Sequence, residues 1–153
     1  MTQGAPLLWL THAAATLYLV GVIAVVQGVH YPLFARVGVE GFAAYAAEHG
    51  RRITRVVAVP MLVELGCAVA LVLTPLPPGV PAWMAWAGLA AVVGVWLSTF
   101  FWQVPRHEVL RGGYDLEALR GLLATNLVRG VLWALRGVWA LYLLARAMGP
   151  VEC

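Results

Sequence analysis

Lysine is absent from this 153-residue chain, and all ten of its basic side chains are arginines. Charge of either sign is scarce: 11% of residues, against roughly 25% in soluble domains, which makes the soluble class a poor fit. Cysteine is almost missing too, with only Cys67 and Cys153 and no C-x-x-C. That spacing excludes the small membrane disulfide oxidoreductases built on such a motif, and Cys67 reads as a small apolar packing residue. There is no internal repeat and no low-complexity stretch. The N-terminal stretch Met1–Pro6 has no Lys or Arg. Without a basic n-region, and with an apolar run too long for an h-region, the first run is expected to stay as a span.

What the chain has in abundance is apolar length. Hydrophobic residues make up 62% of it. The runs Leu7–Val29, Val56–Leu76, Ala82–Val104 and Leu122–Ala145 each hold the roughly 20 apolar residues that a bilayer-crossing helix needs. The expected fold is all-α, an integral membrane four-helix bundle, with residues 1–153 forming one membrane domain. Trp9, Trp83, Trp86, Trp102 and Tyr142 lie near span ends, as an aromatic belt requires.

The arginines give the orientation. Arg36, Arg51, Arg52, Arg55, Arg106, Arg111 and Arg120 fall in the first and third connections, whereas the opposite side offers only Arg146. By the positive-inside rule both polar loops are cytoplasmic and both termini outside, in a bacterial plasma membrane. The bias also argues against a dual-topology exporter. Arginines placed at helix ends beside a membrane are a topology signal and not a nucleic-acid footprint. The uncharged Thr74–Pro81 (TPLPPGVP) makes the second and third spans an antiparallel hairpin. Phe42, Tyr45 and His49 form a helical stripe, expected as a short cytoplasmic interfacial helix or as an extension of span two. Pro60 is expected to kink span two near Glu64.

Charges inside the spans point to the working part. A charge at bilayer depth costs about 2.5–3.5 kcal/mol and is usually paired. Counting 1.5 Å per residue from Arg55 and Gly121 puts Glu64 and Arg129 at nearly the same depth, roughly 13 and 12 Å, so the two are expected to pair. Asn126, Arg129, Trp133 and Arg136 recur at steps of three and four and share one face of span four. Two arginines cost that span about 5–7 kcal/mol, and its eight leucines return only about 4, so this face must look into the bundle. Arg136 lies deeper, matched to a backbone carbonyl, His12 or an anionic ligand group.

His30, His49 and His107 all belong at the cytoplasmic end, while His12 lies about 9 Å below the outer surface. Three histidines with Glu64 are a ligand set for zinc, iron or haem, although no single helix supplies two ligands at H-x-x-H or H-x-x-x-H spacing. Alternatively, Gln27, Tyr31, Tyr45, Gln103, Asn126 and the arginines line a pocket for a lipophilic molecule. Glu64 or a histidine would then carry protons, with Arg129 orienting Glu64.

Several motifs carry a resemblance. Val26–Val37 (VQGVHYPLFARV), Phe42-x-x-Tyr45-x-x-x-His49-x-x-Arg52-Ile53, Pro60-Met61-x-x-Glu64, Gln103-Val104-Pro105-x-His107 and Asn126-x-x-Arg129 resemble a group of small uncharacterised bacterial four-span proteins. More distantly they are similar to anthrone-oxygenase-like membrane proteins. The resemblance implies a membrane oxidoreductase or oxygenase acting on a lipophilic aromatic substrate, with no catalytic residue carried over. Two rivals stand beside it: a non-enzymatic accessory or lipophilic-ligand-binding protein, and a small proton-coupled transporter using Glu64. The expected partners are the bilayer, a lipophilic small molecule and, for a homo-oligomer, further copies of the chain.

Overall fold

A computed structural model describes residues 5–148, which leaves 1–4 and 149–153, with Cys153, outside the described residues. Four helices long and apolar enough to cross a membrane account for nearly all of it: α1 (Pro6–Phe34), α2 (Val39–Leu73), α3 (Ala82–Arg111) and α4 (Leu116–Met148). Their most apolar windows have mean hydropathy between 1.4 and 2.5. The helices run up and down in a ring, α1 packing on α2 and α4, and α3 packing on the same two from the far side.

The helices outrun the apolar segments at the arginine-rich end. The segment 41–53 is continuous with the rest of α2, which at 35 residues is about 52 Å long, well beyond a hydrocarbon core of roughly 30 Å. α1 likewise continues to Phe34, and α3 continues to Arg111. Apolar runs mark where a helix meets lipid, and a helix does not have to stop where its surface becomes polar. At the other end α2 stops at Leu73 and not at Leu76, because Pro75 forces Thr74 into an extended conformation (φ −115°, ψ 155°). α4 starts at a proper cap: the Ala118 N–H donates to Asp115 Oδ1 at 2.7 Å.

α1 and α3 share one irregularity. Each contains a single π-helical stretch, Val26–His30 and Thr99–Gln103, and in each a proline (Pro32, Pro105) follows two residues after its end. A proline has no N–H to give and its ring collides with the carbonyl four residues back. Widening the preceding turn lets the Tyr31 N–H reach Val26 O and the Val104 N–H reach Thr99 O, so the helix continues through the proline. The wide turns carry Gln27 and His30 on α1 and Gln103 on α3.

Inside the ring, apolar and polar layers alternate. Trp9, Leu71, Val80 and Leu143 close the proline-loop end. Leu19, Ile23, Met61, Val95 and Trp133 fill the middle, and Tyr31, Phe34, Phe42, Leu110 and Leu122 fill the arginine-rich end. Outward, Leu10, Val59, Leu62, Leu97, Leu135 and Val138 are exposed, as lipid-facing surfaces require.

α3 and α4 approach closely at Gly88, where a Cβ would stand 2.7 Å from the Trp139 ring. Gly88→Ala is therefore expected to destabilise the bundle by about 1–3 kcal/mol. Gly94→Ala on the same helix, where a Cβ meets nothing within 4 Å, is expected to be neutral or slightly stabilising. Thermal unfolding of both variants in detergent checks this, and equal midpoints would refute the close contact.

Candidate functional site

Two polar layers interrupt the apolar core, and they differ in how far their hydrogen-bonding groups are satisfied. The deeper one, toward the proline loop, is built on Glu64, which is 1% exposed. Its Oε1 accepts from Thr16 Oγ1 and from Arg136 Nε, both at 3.0 Å, and its Oε2 accepts from Trp133 Nε1 at 3.0 Å. Arg136 also donates to the Gly88 carbonyl through Nη1 and to His12 Nε2 through Nη2 at 3.3 Å. Because a guanidinium only donates, that contact makes Nε2 the acceptor and leaves the ring proton of neutral His12 on Nδ1. The layer ties all four helices together around one neutral ion pair.

This arrangement corrects the expected Glu64–Arg129 pair. Depth counted from the apolar boundaries mistook the start of the run for the start of the helix. Counted from the true helix starts at Val39 and Leu116, Glu64 lies about 37 Å along α2, Arg136 about 30 Å along α4, and Arg129 only about 20 Å. Arg129 therefore cannot orient Glu64, and Glu64 is not a ligand beside the three histidines. Of the partners expected for Arg136, a backbone carbonyl (Gly88) and His12 are the ones found, with Glu64 as its counter-charge in place of a ligand group.

The second layer, toward the arginine-rich end, does bring together residues that the sequence singled out. His30 and His49 have ring centroids 5.0 Å apart, and His49 stacks on His107 at 5.8 Å. Tyr31 Oη and His107 Nε2 share a hydrogen bond of 3.1 Å. Asn126 Nδ2 donates to Gln27 Oε1 at 2.8 Å, and Gln103 Nε2 donates to Thr125 Oγ1 at 2.7 Å. Arg129 lies over the face of Trp133, 5.0 Å from the ring centroid, so the same indole that binds Glu64 through its N–H meets a second cation on its face. Tyr45 lies apart, edge-on to Phe34 at 5.3 Å.

Among the described residues, His12 Nδ1 of the deeper layer, Trp96 Nε1 and Ser98 Oγ each lack a hydrogen-bond partner, and four more such atoms fall together in this second layer: His49 Nε2, Gln103 Oε1, Asn126 Oδ1 and Arg129 Nε. Their side chains are 7%, 2%, 0% and 5% exposed. An unmet buried polar group costs about 1–3 kcal/mol, more when charged, so four in one layer is a concentration that packing alone does not explain. The set offers two carbonyl-type acceptors, a guanidinium donor and an imidazole nitrogen. Tyr31 and Thr125 complete the layer; sequence reasoning named Tyr31 only as a pocket-lining residue and did not name Thr125. Tyr31 follows His30 directly, and Thr125 precedes Asn126.

The histidines stack and do not point at a common centre. Among the described residues, no group of three or more His, Cys, Asp and Glu side chains converges as the donors of a metal ion must. The expected zinc or iron ligation by His30, His49, His107 and Glu64 together thus finds no matching donor geometry among the described residues. Compared with known proteins, the chain matches no family model, no curated protein and no solved structure.

The ion pair of the deeper layer carries a stability prediction. Glu64→Gln leaves Arg136 buried without its counter-charge and is expected to cost about 3–5 kcal/mol. Replacing both partners by apolar residues, Glu64→Leu with Arg136→Met, is expected to restore most of that loss. Thermal unfolding of the single and double variants decides it, and a single variant as stable as the parent would show that the pair does not hold the helices.

Proposed function

We propose that this protein binds a lipophilic molecule bearing a polar, oxygen-containing head in the second layer, at the cytoplasmic end of a plasma-membrane bundle whose termini lie outside. The topology rests on the seven arginines at one end of the helices against Arg146 at the other. In this orientation the first turns of α2, with the Glu48 ion pairs to Arg51 and Arg52, project into the cytoplasmic headgroup region. The binding reading rests on one observation above all, the four unpartnered polar atoms on side chains at least 93% buried.

The layer suits a phenolic or quinone-like head. Gln103 Oε1 and Asn126 Oδ1 accept from a hydroxyl, and Arg129, with no carboxylate partner, donates to an oxygen that carries partial or full negative charge. The hydrogen-bonded Tyr31–His107 pair is the natural route for a proton, since a phenol and an imidazole can each donate and accept. This agrees with the oxidoreductase or oxygenase activity on a lipophilic aromatic substrate that the resemblance implies. Nothing favours a proton-coupled transporter built on Glu64, whose two oxygens already accept from three donors and balance Arg136.

Decylhydroquinone is expected to raise the unfolding temperature of the detergent-purified protein. Arg129→Gln and Asn126→Ala are each expected to weaken that binding by about tenfold or more while leaving a folded bundle, one buried charged or bidentate hydrogen bond being worth about 1.5–3 kcal/mol. Titration followed by thermal shift measures both. A protein indifferent to the hydroquinone, or variants that bind it as well as the parent, would sink the reading.

A further inference from the structure

One surface feature leads from the lipid-facing side to the second layer. Between α1 and α2 runs an open groove of about 490 Å³, lined from Leu17 and Tyr18 through Gly21, Val22, Val25 and Val26 on α1, with Ile53 on α2, and ending at His30. The volume lies within the range of small-molecule sites, and apart from His30 and the Tyr18 hydroxyl the lining is apolar. His30 is exposed, and its ring is 5.0 Å from that of His49, whose buried Nε2 has no partner among the described residues. The groove therefore ends one side chain away from the polar layer.

Gly21 lines this groove. A Cβ built there meets nothing within 4 Å, as at Gly66 and Gly94, so close helix packing does not call for a glycine at this position. Gly88, by contrast, meets the Trp139 ring. What a side chain at Gly21 would occupy is the groove itself.

The groove also has a direction. From Leu17 to His30 it follows α1 for about 20 Å, from the middle of the span to the arginine-rich end. Its apolar part lies toward the bilayer centre and its imidazole toward the headgroup level. That is how a single-chain amphiphile lies in one leaflet, with its tail at the midplane and its head at the interface.

We propose that this groove holds the hydrocarbon tail of the ligand whose head occupies the second layer, so that the substrate class is a membrane-dissolved aromatic alcohol or quinone with an alkyl or isoprenoid chain, reached sideways from the bilayer past His30. The inference rests on the binding reading above and adds to it the tail, the route and the residue that admits the head. The tail contributes affinity in proportion to the methylenes it buries, and Gly21 keeps the channel clear.

Two probes with related heads separate the two claims: decylhydroquinone and tail-free trimethylhydroquinone, each titrated against the full-length protein in detergent. Decylhydroquinone is expected to bind the parent at least about tenfold more tightly, since burying two methylenes already supplies that factor. Gly21→Phe, which fills the groove, is expected to abolish this preference while leaving trimethylhydroquinone affinity within about twofold. Gly66→Phe adds the same bulk to α2 outside the groove lining, where a Cβ also meets nothing within 4 Å, and is expected to change neither affinity. If Gly21→Phe retains the full tail preference, the groove holds only ordinary bilayer lipid and the inference falls, while a trimethylhydroquinone affinity still lost in Arg129→Gln keeps the head site. If the parent binds neither probe, the head site fails and the groove proposal with it.

Discussion

Among the described residues the interior of this bundle contains one carboxylate and two guanidiniums, and the rest of the arrangement follows from how that imbalance is distributed. Glu64 can neutralise only one arginine. It takes Arg136, with Thr16 and Trp133 filling its remaining acceptor sites, and the result is a neutral cluster in which the carboxylate is fully engaged and His12 Nδ1 alone lacks a partner among the described residues. Arg129, seven residues earlier on the same face of α4, is left with the indole face of Trp133 and no carboxylate. A cation–π contact of roughly 0.5–2 kcal/mol does not offset the desolvation of a buried guanidinium. The residual charge is then a fixed property of the second layer, and it makes that layer attractive to an electron-rich oxygen.

The prolines decide which side chains meet that charge. Pro32 and Pro105 each open a wide turn just before them, and a five-residue π-turn rotates everything beyond it relative to a regular helix. Gln27 and Gln103 sit within these turns, and His107 lies one helical turn past the second. The paired irregularities thus sit on the two helices that face each other across the ring, at the level of the uncompensated arginine. π-Turns cost helix regularity, and they are concentrated where helices carry functional groups.

Much of this was legible in the sequence, and the reasons for the misses are physical. The four helices followed from apolar run length, and the grouping of His30, His49 and His107 at one end followed from sorting loop arginines and counting residues. Both rest on one-dimensional quantities. The helix ends followed only in part. The stripe of Phe42, Tyr45 and His49 offered an extension of span two as one of two readings, and α2 does begin at Val39. But a helix that leaves the hydrocarbon loses its hydropathy signal without losing its hydrogen bonds, so depths counted from the apolar run were wrong. The choice of Arg136 over Arg129 as partner of Glu64 depended on those same ends and failed with them. The π-turns were invisible as such, although Pro32 and Pro105 within long helical runs marked their places. Which polar atoms remain unpaired is a three-dimensional property, and no spacing rule reaches it.

The contrast between the two layers is the strongest argument for where function resides. Both contain arginine, histidine and hydrogen-bonding side chains from several helices, so composition does not tell them apart. In the deeper layer the carboxylate satisfies the cation and the indole, and any ligand entering it would have to replace bonds already made. In the second layer a ligand supplying one hydroxyl and one acceptor oxygen would gain bonds that the protein cannot make for itself. Under the proposed binding, the free energy would come from that difference. The deeper layer can therefore hold the helices in register while the second stays incompletely satisfied, and Trp133, bonded to Glu64 by its N–H and facing Arg129 with its ring, joins the rigid layer to the receptive one.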